Sequence, residues 1–493
     1  MNRLAPFLIC LFFLIQCLVF IPLLGPQHDE VLFAGILLNP LEYTHKIDFA
    51  GFEIFTMLDF YLGALKGWIY APLVKLLDTN LYTLRLPVAI LGAITIYLVY
   101  WMLARTSGRR PALFAASLLA VDPTYMLTTT FDWGPCVLQR LFLVTILACA
   151  VAYQQHPRAI FAALAGLCTG LAIWDKLSFV WLLAGCSIAA IVIFHRELRK
   201  SLHLSACAAF LTCAFIGAFP ALHANWGALG SARERTAALT ESTLPIKAWR
   251  LWLTLDGSAL YRFFTNMPDG PAHIGGWLTV LLLLTLPVWW KAPYRRAVLF
   301  TALAFLFSTA AMFATNGGAA GAHHTALLWP LPSMLLGLLI AGVNRRALQT
   351  ALLVVALASA LRVSYSYRAE ILNSGSAIAW TEASVDLAQY LEDANLRAIF
   401  THDWGISSPL RYLGDNRFPI TDTSGWFLNS LRTQIPNRSS VFIFHPSARQ
   451  LHPSIREKVD QLAAELNAVP QTVRTLHDRR GQPAFDIVRY VPR

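Results

Sequence analysis

The chain opens with Ala5–Leu24, APFLICLFFLIQCLVFIPLL, and passes at once into Gly25-Pro26-Gln27-His28-Asp29-Glu30. An apolar run of that length suffices for a helix to cross a bilayer. Three ionisable residues directly beyond it stand where charge is costly unless it faces water or chemistry. No small-residue cleavage pattern follows Leu24 and further apolar runs do, so the segment reads as an uncleaved first span, not a signal peptide.

The same pattern continues outward from this segment. Of 493 residues 56% are hydrophobic and 14% charged, well under the share typical of soluble domains. Apolar windows recur near 5–24, 82–104, 111–130, 136–153, 159–174, 177–194, 203–220, 275–290, 297–313, 325–342 and 347–364. They predict an all-α polytopic membrane bundle of about 11 transmembrane helices over 1–365, followed by a soluble α/β domain over 366–493. The net charge of +11 comes with basic residues in short loops between spans, which favours a bilayer and not nucleic acid as the partner. With Met1 inside, Arg3 and the inner loops hold thirteen basic residues and one acid, Glu197, and the other fourteen acids before residue 365 fall outside or in outer helix halves. This bias predicts a cytoplasmic N-terminus, an outer position for His28–Glu30 and an extracytoplasmic tail. The eight cysteines all lie in or beside apolar segments, and none follows Cys213, so packing and not a disulfide framework is their expected role.

Two long outer segments, 25–80 and 221–274, interrupt the bundle. Within the first, Phe52–Leu77 reads as helices lying in the interface. In the second, Trp226, Trp249 and Trp252 suit an interfacial lipid groove, and Met267-Pro268-Asp269-Gly270 is a turn. In the tail, helices are expected over Val385–Asp393, Ser408–Leu413 and 453–467. Strands are expected over Arg397–Thr401 and Ser440–Phe444, with a hairpin of Thr472–Leu476 and Ala484–Val491 turned at Arg480-Gly481.

The residues able to carry chemistry are few. They are His28-Asp29-Glu30, Lys66 in Tyr61–Lys66 (YLGALK), Arg85-Leu86-Pro87, Asp132 in FDWGP (131–135), and Asp175-Lys176 closing GLAIWDK (170–176). Each also has a plain structural reading: a helix cap for Asp29 or Asp132, a snorkelling chain for Lys66, the start of a span for Arg85, an ion pair for Lys176 with Asp175. Asp122, before Pro123 within a span, either faces the same cavity or ends a helix. His323-His324, after a glycine-rich outer loop, read either as a polar helix start or as ligands for a divalent metal or a phosphate. Nothing in the sequence matches GxGxxG, a P-loop or HExxH.

Taken in order, these elements resemble the GT-C membrane glycosyltransferases, in particular the branch of protein O-mannosyltransferases and bacterial aminoarabinose-type lipid A transferases. The resemblance covers 1–365 in layout and is sharpest over 25–180. It implies a polyprenyl-phosphate-linked sugar as donor, transferred to a lipid, glycan or protein acceptor on the outer face of a bacterial inner membrane. It places the catalytic base on Asp29, with Glu30 beside it and Asp132 facing it. Displacing phosphate from an anomeric carbon needs a base at the acceptor hydroxyl and cations on the leaving group, and direct displacement inverts the centre. Lys66, Arg85, Lys176 and Arg262, with Arg250, are the cation candidates, Lys66 first. The chain departs from the aminoarabinose pattern here, since no Lys-Pro pair occurs in the first outer loop. Metal dependence varies within the resembled class, and His28, His323 and His324 are the candidate ligands. A transporter or flippase of lipid-linked sugars, using the acids for proton coupling, is the rival reading, but inverted repeats are not evident.

Overall fold

The computed structural model describes the chain except residues 1–3, 39–42, 202, 227–241, 266, 286–289, 395, 424–427, 436, 438 and 453, so the middle of the second outer segment lies outside the described residues. Each apolar window of the sequence falls on a helix or a bent helix pair. Seven helices are individually long and apolar enough to cross a membrane: Ala5–Leu23, Leu81–Thr106, Cys136–Gln155, Phe179–Ser201, Leu204–Asn225, Arg295–Phe313 and Arg346–Ser374. Two further windows are bent pairs, Arg109–Val121 with Pro123–Thr130 at 57° and Ala322–Leu328 with Leu331–Gly342 at 43°. The last two, Ala159–Asp175 and Gly275–Leu284, are shorter apolar helices. Among the described residues, seven helices are thus long and apolar enough to cross alone, nine spans result with each bent pair as one, and the two shorter helices complete the eleven apolar elements expected. The bend in the first pair is local: Pro123 starts a new helix capped by Asp122, whose Oδ1 accepts from Tyr125 N at 2.9 Å.

Small residues set the closest packing. A Cβ at Gly166 would lie 2.1 Å from Phe210 O, and one at Gly170 2.2 Å from Ala214 O. Helix Ala159–Asp175 thus meets Leu204–Asn225 backbone to backbone along a Gly-xxx-Gly stripe. That contact sets where Asp175 and Lys176 emerge.

The segment expected as interfacial helices is half strand. Phe52–Asp59 pairs antiparallel with His45–Phe49 and then with Leu62–Gly63, and only Leu65–Leu76 is helical. The register Phe49↔Phe52 leaves a two-residue loop, Ala50-Gly51, with φ of 49° and 84°. Those values define the tight hairpin turn that suits strand twist, and Phe52, Ile54, Phe55 and Thr56 are strand formers. Hydrophobicity alone suggested an amphipathic surface; the turn selected the hairpin.

The tail is a five-stranded sheet in the order Ile420–Asp422, Ala398–Thr401, Ser440–Phe444, Pro483–Pro492, Ala468–His477. The first three strands are parallel and the last two form the antiparallel hairpin. Helices Ala383–Ala394 and Ser407–Leu413 cover one face and Ile455–Glu465 the other. The edge strand Ile420–Asp422 has no sequence signal beyond three residues. The tail rests on the first outer segment: Gly25 N donates to Trp380 O at 2.9 Å, and Arg479 Nη2 reaches Leu23 O at 3.4 Å.

Candidate active site

The helix His28–Ala34 begins immediately after the first span and is fixed by a reciprocal cap. Glu30 N donates to Gln27 Oε1 at 3.1 Å, and Gln27 N donates to Glu30 Oε2 at 3.4 Å. Arg85 completes the arrangement. Its Nε and Nη2 both contact the Glu30 carboxylate at 2.8 Å, while its nitrogens also donate to the carbonyls of Ile21, Leu24 and Gly25 at 2.6–2.7 Å. The guanidinium is 0% exposed and lies over the Phe131 ring at 4.6 Å. Every part of this group is committed to protein. Arg85 is thereby removed from the phosphate role expected of it, and Glu30 from direct chemistry, because neither has a face left for a substrate.

Asp29, one residue earlier, is different. It is only partly buried, and its charge is felt by Lys176 and by Tyr61. Burial pushes its carboxyl up to about 6, against the hydrogen bond from Gln27 and the attraction of Lys176. The carboxylate is therefore ionised at neutral pH and more basic than an ordinary aspartate.

The turn Phe131–Pro135 is the second wall. An aromatic cage holds it: Trp133 stacks on Phe263 at 4.9 Å and meets Phe264 and Trp380 edge-on at 5.6 Å. Asp132 accepts from the backbone nitrogens of Cys136 and Val137 at 2.7 and 3.2 Å, the capping role, and its other oxygen pairs with Lys66 at 2.9 Å. Lys66 Nζ also reaches Asp132 O at 2.9 Å, while Lys176 Nζ donates to Gly134 O at 3.1 Å. Two buried ammonium groups, at 3% and 2% exposure, thus converge on the Asp132-Trp133-Gly134 turn. Lys66 has a carboxylate partner. Lys176 is bonded to a neutral carbonyl and takes no part in any ion pair between described residues.

The strand pairing explains why Lys176 is there. Leu62 bridges Lys176, Leu177 N donates to Tyr61 O at 3.0 Å, and Trp174 Nε1 donates to Thr56 O at 2.7 Å. The hairpin missed in the sequence is therefore the scaffold that clasps this lysine. The expected Asp175–Lys176 pair is replaced: Asp175 Oδ2 takes Gln139 Nε2 at 2.8 Å. Gln139 carried no motif signal and neither did Arg140, which is buried against Thr128 and the carbonyl of Ala326 at 2.6 and 2.8 Å.

His323 packs over Gly134, where a Cβ would lie 2.9 Å from its own Cβ, and its ring faces that of His324 at 4.3 Å. Among the described residues no group of three or more His, Cys, Asp or Glu could hold a metal ion. The His28 ring meets that of Trp404 of the tail at 4.9 Å, tilted by 45°. Arg262 is exposed, in the short helix Tyr261–Thr265 beside the cage, and Arg250 Nη1 contacts Ser242 Oγ at 3.2 Å. Of the three tryptophans, Trp226 and Trp249 are exposed, while Trp252 lines an apolar cavity of about 340 Å³ between the later helices.

Residues 64–223 match the family described as dolichyl-phosphate-mannose-protein mannosyltransferase, a segment that contains Lys66, Arg85, Asp132 and Lys176. The fold is similar to the crystal structure of ArnT from Cupriavidus metallidurans bound to undecaprenyl phosphate, with a TM-score of 0.63, 14% identity and 97% of each chain covered. The apo structure of the same protein gives a TM-score of 0.60 at 14% identity and the same coverage. An archaeal oligosaccharyltransferase from Archaeoglobus fulgidus, in its apo form, is matched at a TM-score of 0.48 and 13% identity, over 96% of this chain and 70% of that one. No curated protein sequence matches. Residues 64–223 thus match a mannosyltransferase family, and the chain as a whole shares its fold with the ArnT structures.

Proposed function

We propose that the enzyme moves a sugar from a polyprenyl-phosphate donor to an acceptor on the outer face of a bacterial inner membrane, with inversion. The observation that carries this reading is the convergence of Lys66 and Lys176 on the Asp132–Gly134 turn, with the Asp29 carboxylate within electrostatic reach of Lys176. Asp29 takes the proton of the acceptor hydroxyl as the hydroxyl attacks the anomeric carbon. The bond from that carbon to the phosphate oxygen breaks, and the departing phosphate is met by the Lys176 ammonium. Lys66 shares its charge between Asp132 and the leaving group, so Lys176 takes the leading role. The similar structure with undecaprenyl phosphate supports a lipid phosphate as the carrier. The loops holding thirteen of the basic residues support an outer position for the site. The acceptor, a lipid, glycan or protein, is reached from the same face.

The test is reconstitution in liposomes with a radiolabelled polyprenyl-phosphate sugar and envelope extract. Wild-type protein should release the lipid phosphate and label an envelope component with inverted linkage. Unchanged release from Asp29→Asn, or none from the wild type with any polyprenyl-linked sugar, would sink the reading.

A further inference from the structure

The residue next to the base is touched by the tail, and the contact is a rigid one. Trp404 lies in the loop after strand Ala398–Thr401, and its ring meets His28 at 4.9 Å. Three bonds hold that loop. Asp403 accepts from Trp404 N at 2.9 Å through Oδ1, from His452 N at 3.1 Å, and from Leu451 N at 2.9 Å through Oδ2. Gly405 then turns with φ of 88°, a conformation that costs glycine nothing. The indole is nonetheless only partly buried, so a preset aromatic surface is left open beside the site.

Polar groups border it. Asp422 ends the neighbouring parallel strand, accepts from Ser407 Oγ, and acts electrostatically on both His28 and His402. His28 Nδ1 is buried and has no hydrogen-bond partner among the described residues. The loops involved leave the carboxyl ends of parallel strands, the end of an open α/β sheet at which ligands bind. In this molecule that end meets His28, the residue before Asp29.

We propose that Trp404, with Asp422 and His28, forms the subsite for a saccharide ring of the acceptor, stacking its apolar face while the polar groups bind its hydroxyls. This deepens the reading of Asp29 as the base, since the bound ring would present its hydroxyl there. A partly open indole beside an imidazole, with the Asp422 charge acting on that imidazole, suits the alternating C–H and O–H surface of a sugar. It suits a lipid chain poorly, because hydrocarbon offers nothing to the buried His28 Nδ1.

Saturation-transfer NMR on the full-length protein in nanodiscs tests this with three probes: methyl β-D-galactopyranoside, methyl α-D-glucopyranoside and a blocked Ala-Thr-Ala peptide. Wild type should transfer magnetisation to the ring protons of at least one glycoside. Trp404→Ala should weaken that binding about fivefold, the scale of one lost aromatic partner, and Trp404→Phe should largely restore it. Asp29→Asn should bind the glycoside like wild type, which separates this subsite from the base: full turnover in that variant overturns the base, not the stacking site. Equal glycoside signals from wild type and Trp404→Ala, no glycoside signal from wild type, or transfer to the peptide alone would each overturn the proposal.

Discussion

Two acid–base groupings stand one residue apart in the chain and do opposite things. Glu30 and Arg85 are closed on each other and on three backbone carbonyls, with every guanidinium donor used and both side chains buried. Asp29, Lys176, Lys66 and Asp132 form an open grouping, in which a carboxylate is partly exposed and one buried ammonium is hydrogen-bonded to a carbonyl and, among the described residues, in direct contact with no carboxylate. A buried charge that is fully partnered holds structure. One that is incompletely partnered is poised for a ligand. Adjacent letters of one acidic motif thus differ in how fully folding has partnered them.

The largest effect should come from breaking the closed grouping. Arg85→Ala leaves the Glu30 carboxylate buried without its partner, a change that costs about 3–5 kcal/mol. The variant should fail to accumulate or should melt far earlier by detergent-based thermal unfolding. Arg85→Met with Glu30→Gln should recover much of that loss, because it removes the uncompensated charge. If Arg85→Ala kept its stability and lost only donor affinity, the division drawn here would be wrong.

Next is the open grouping. Asp29→Asn keeps size and much of the hydrogen bonding but removes basicity, so turnover should fall at least ~100-fold while the melting temperature holds. A stability loss matching that of Arg85→Ala would mean that Asp29 is architectural as well.

A smaller loss separates the two lysines. Lys176→Met should weaken donor binding and lower turnover by about tenfold or more, and Lys66→Met by less, since Asp132 already draws on that charge. Titrations with polyprenyl phosphate would read this order; the reverse order would return the leading role to Lys66.

The mildest test is pH. Asp29 has a carboxyl pushed up to about 6, so turnover should fall as pH drops through that value and the base is protonated. Its stability effect has the other sign. A raised folded value favours the protonated form, so the stability it lends is complete below the ordinary aspartate range near 3.8 and is lost as pH rises through about 6. Asp29→Asn should flatten both profiles in that window. A wild-type turnover profile with no inflection there would remove Asp29 as the titrating base.

Hydrophobic periodicity and charge bias, each set by a few neighbouring residues, determined the apolar helices, their punctuation by loops, and the α/β tail with its closing hairpin. These properties are written locally, in runs, caps and turns. The tertiary structure decided what no local signal carries. Phe52–Asp59 became a strand because the Ala50-Gly51 turn gave it a partner, and its own partner strand Leu62–Gly63 bridges Lys176. Arg85 became architectural because the carbonyls of Ile21, Leu24 and Gly25, at the end of the first span and in the turn beyond it, surround it from 60 or more residues away in sequence. Trp404 reached His28 only because the tail folds back on the first outer segment. A side chain's role depends on which of its polar atoms remain unpartnered after folding, and for these residues the partners are distant in sequence and near only in space.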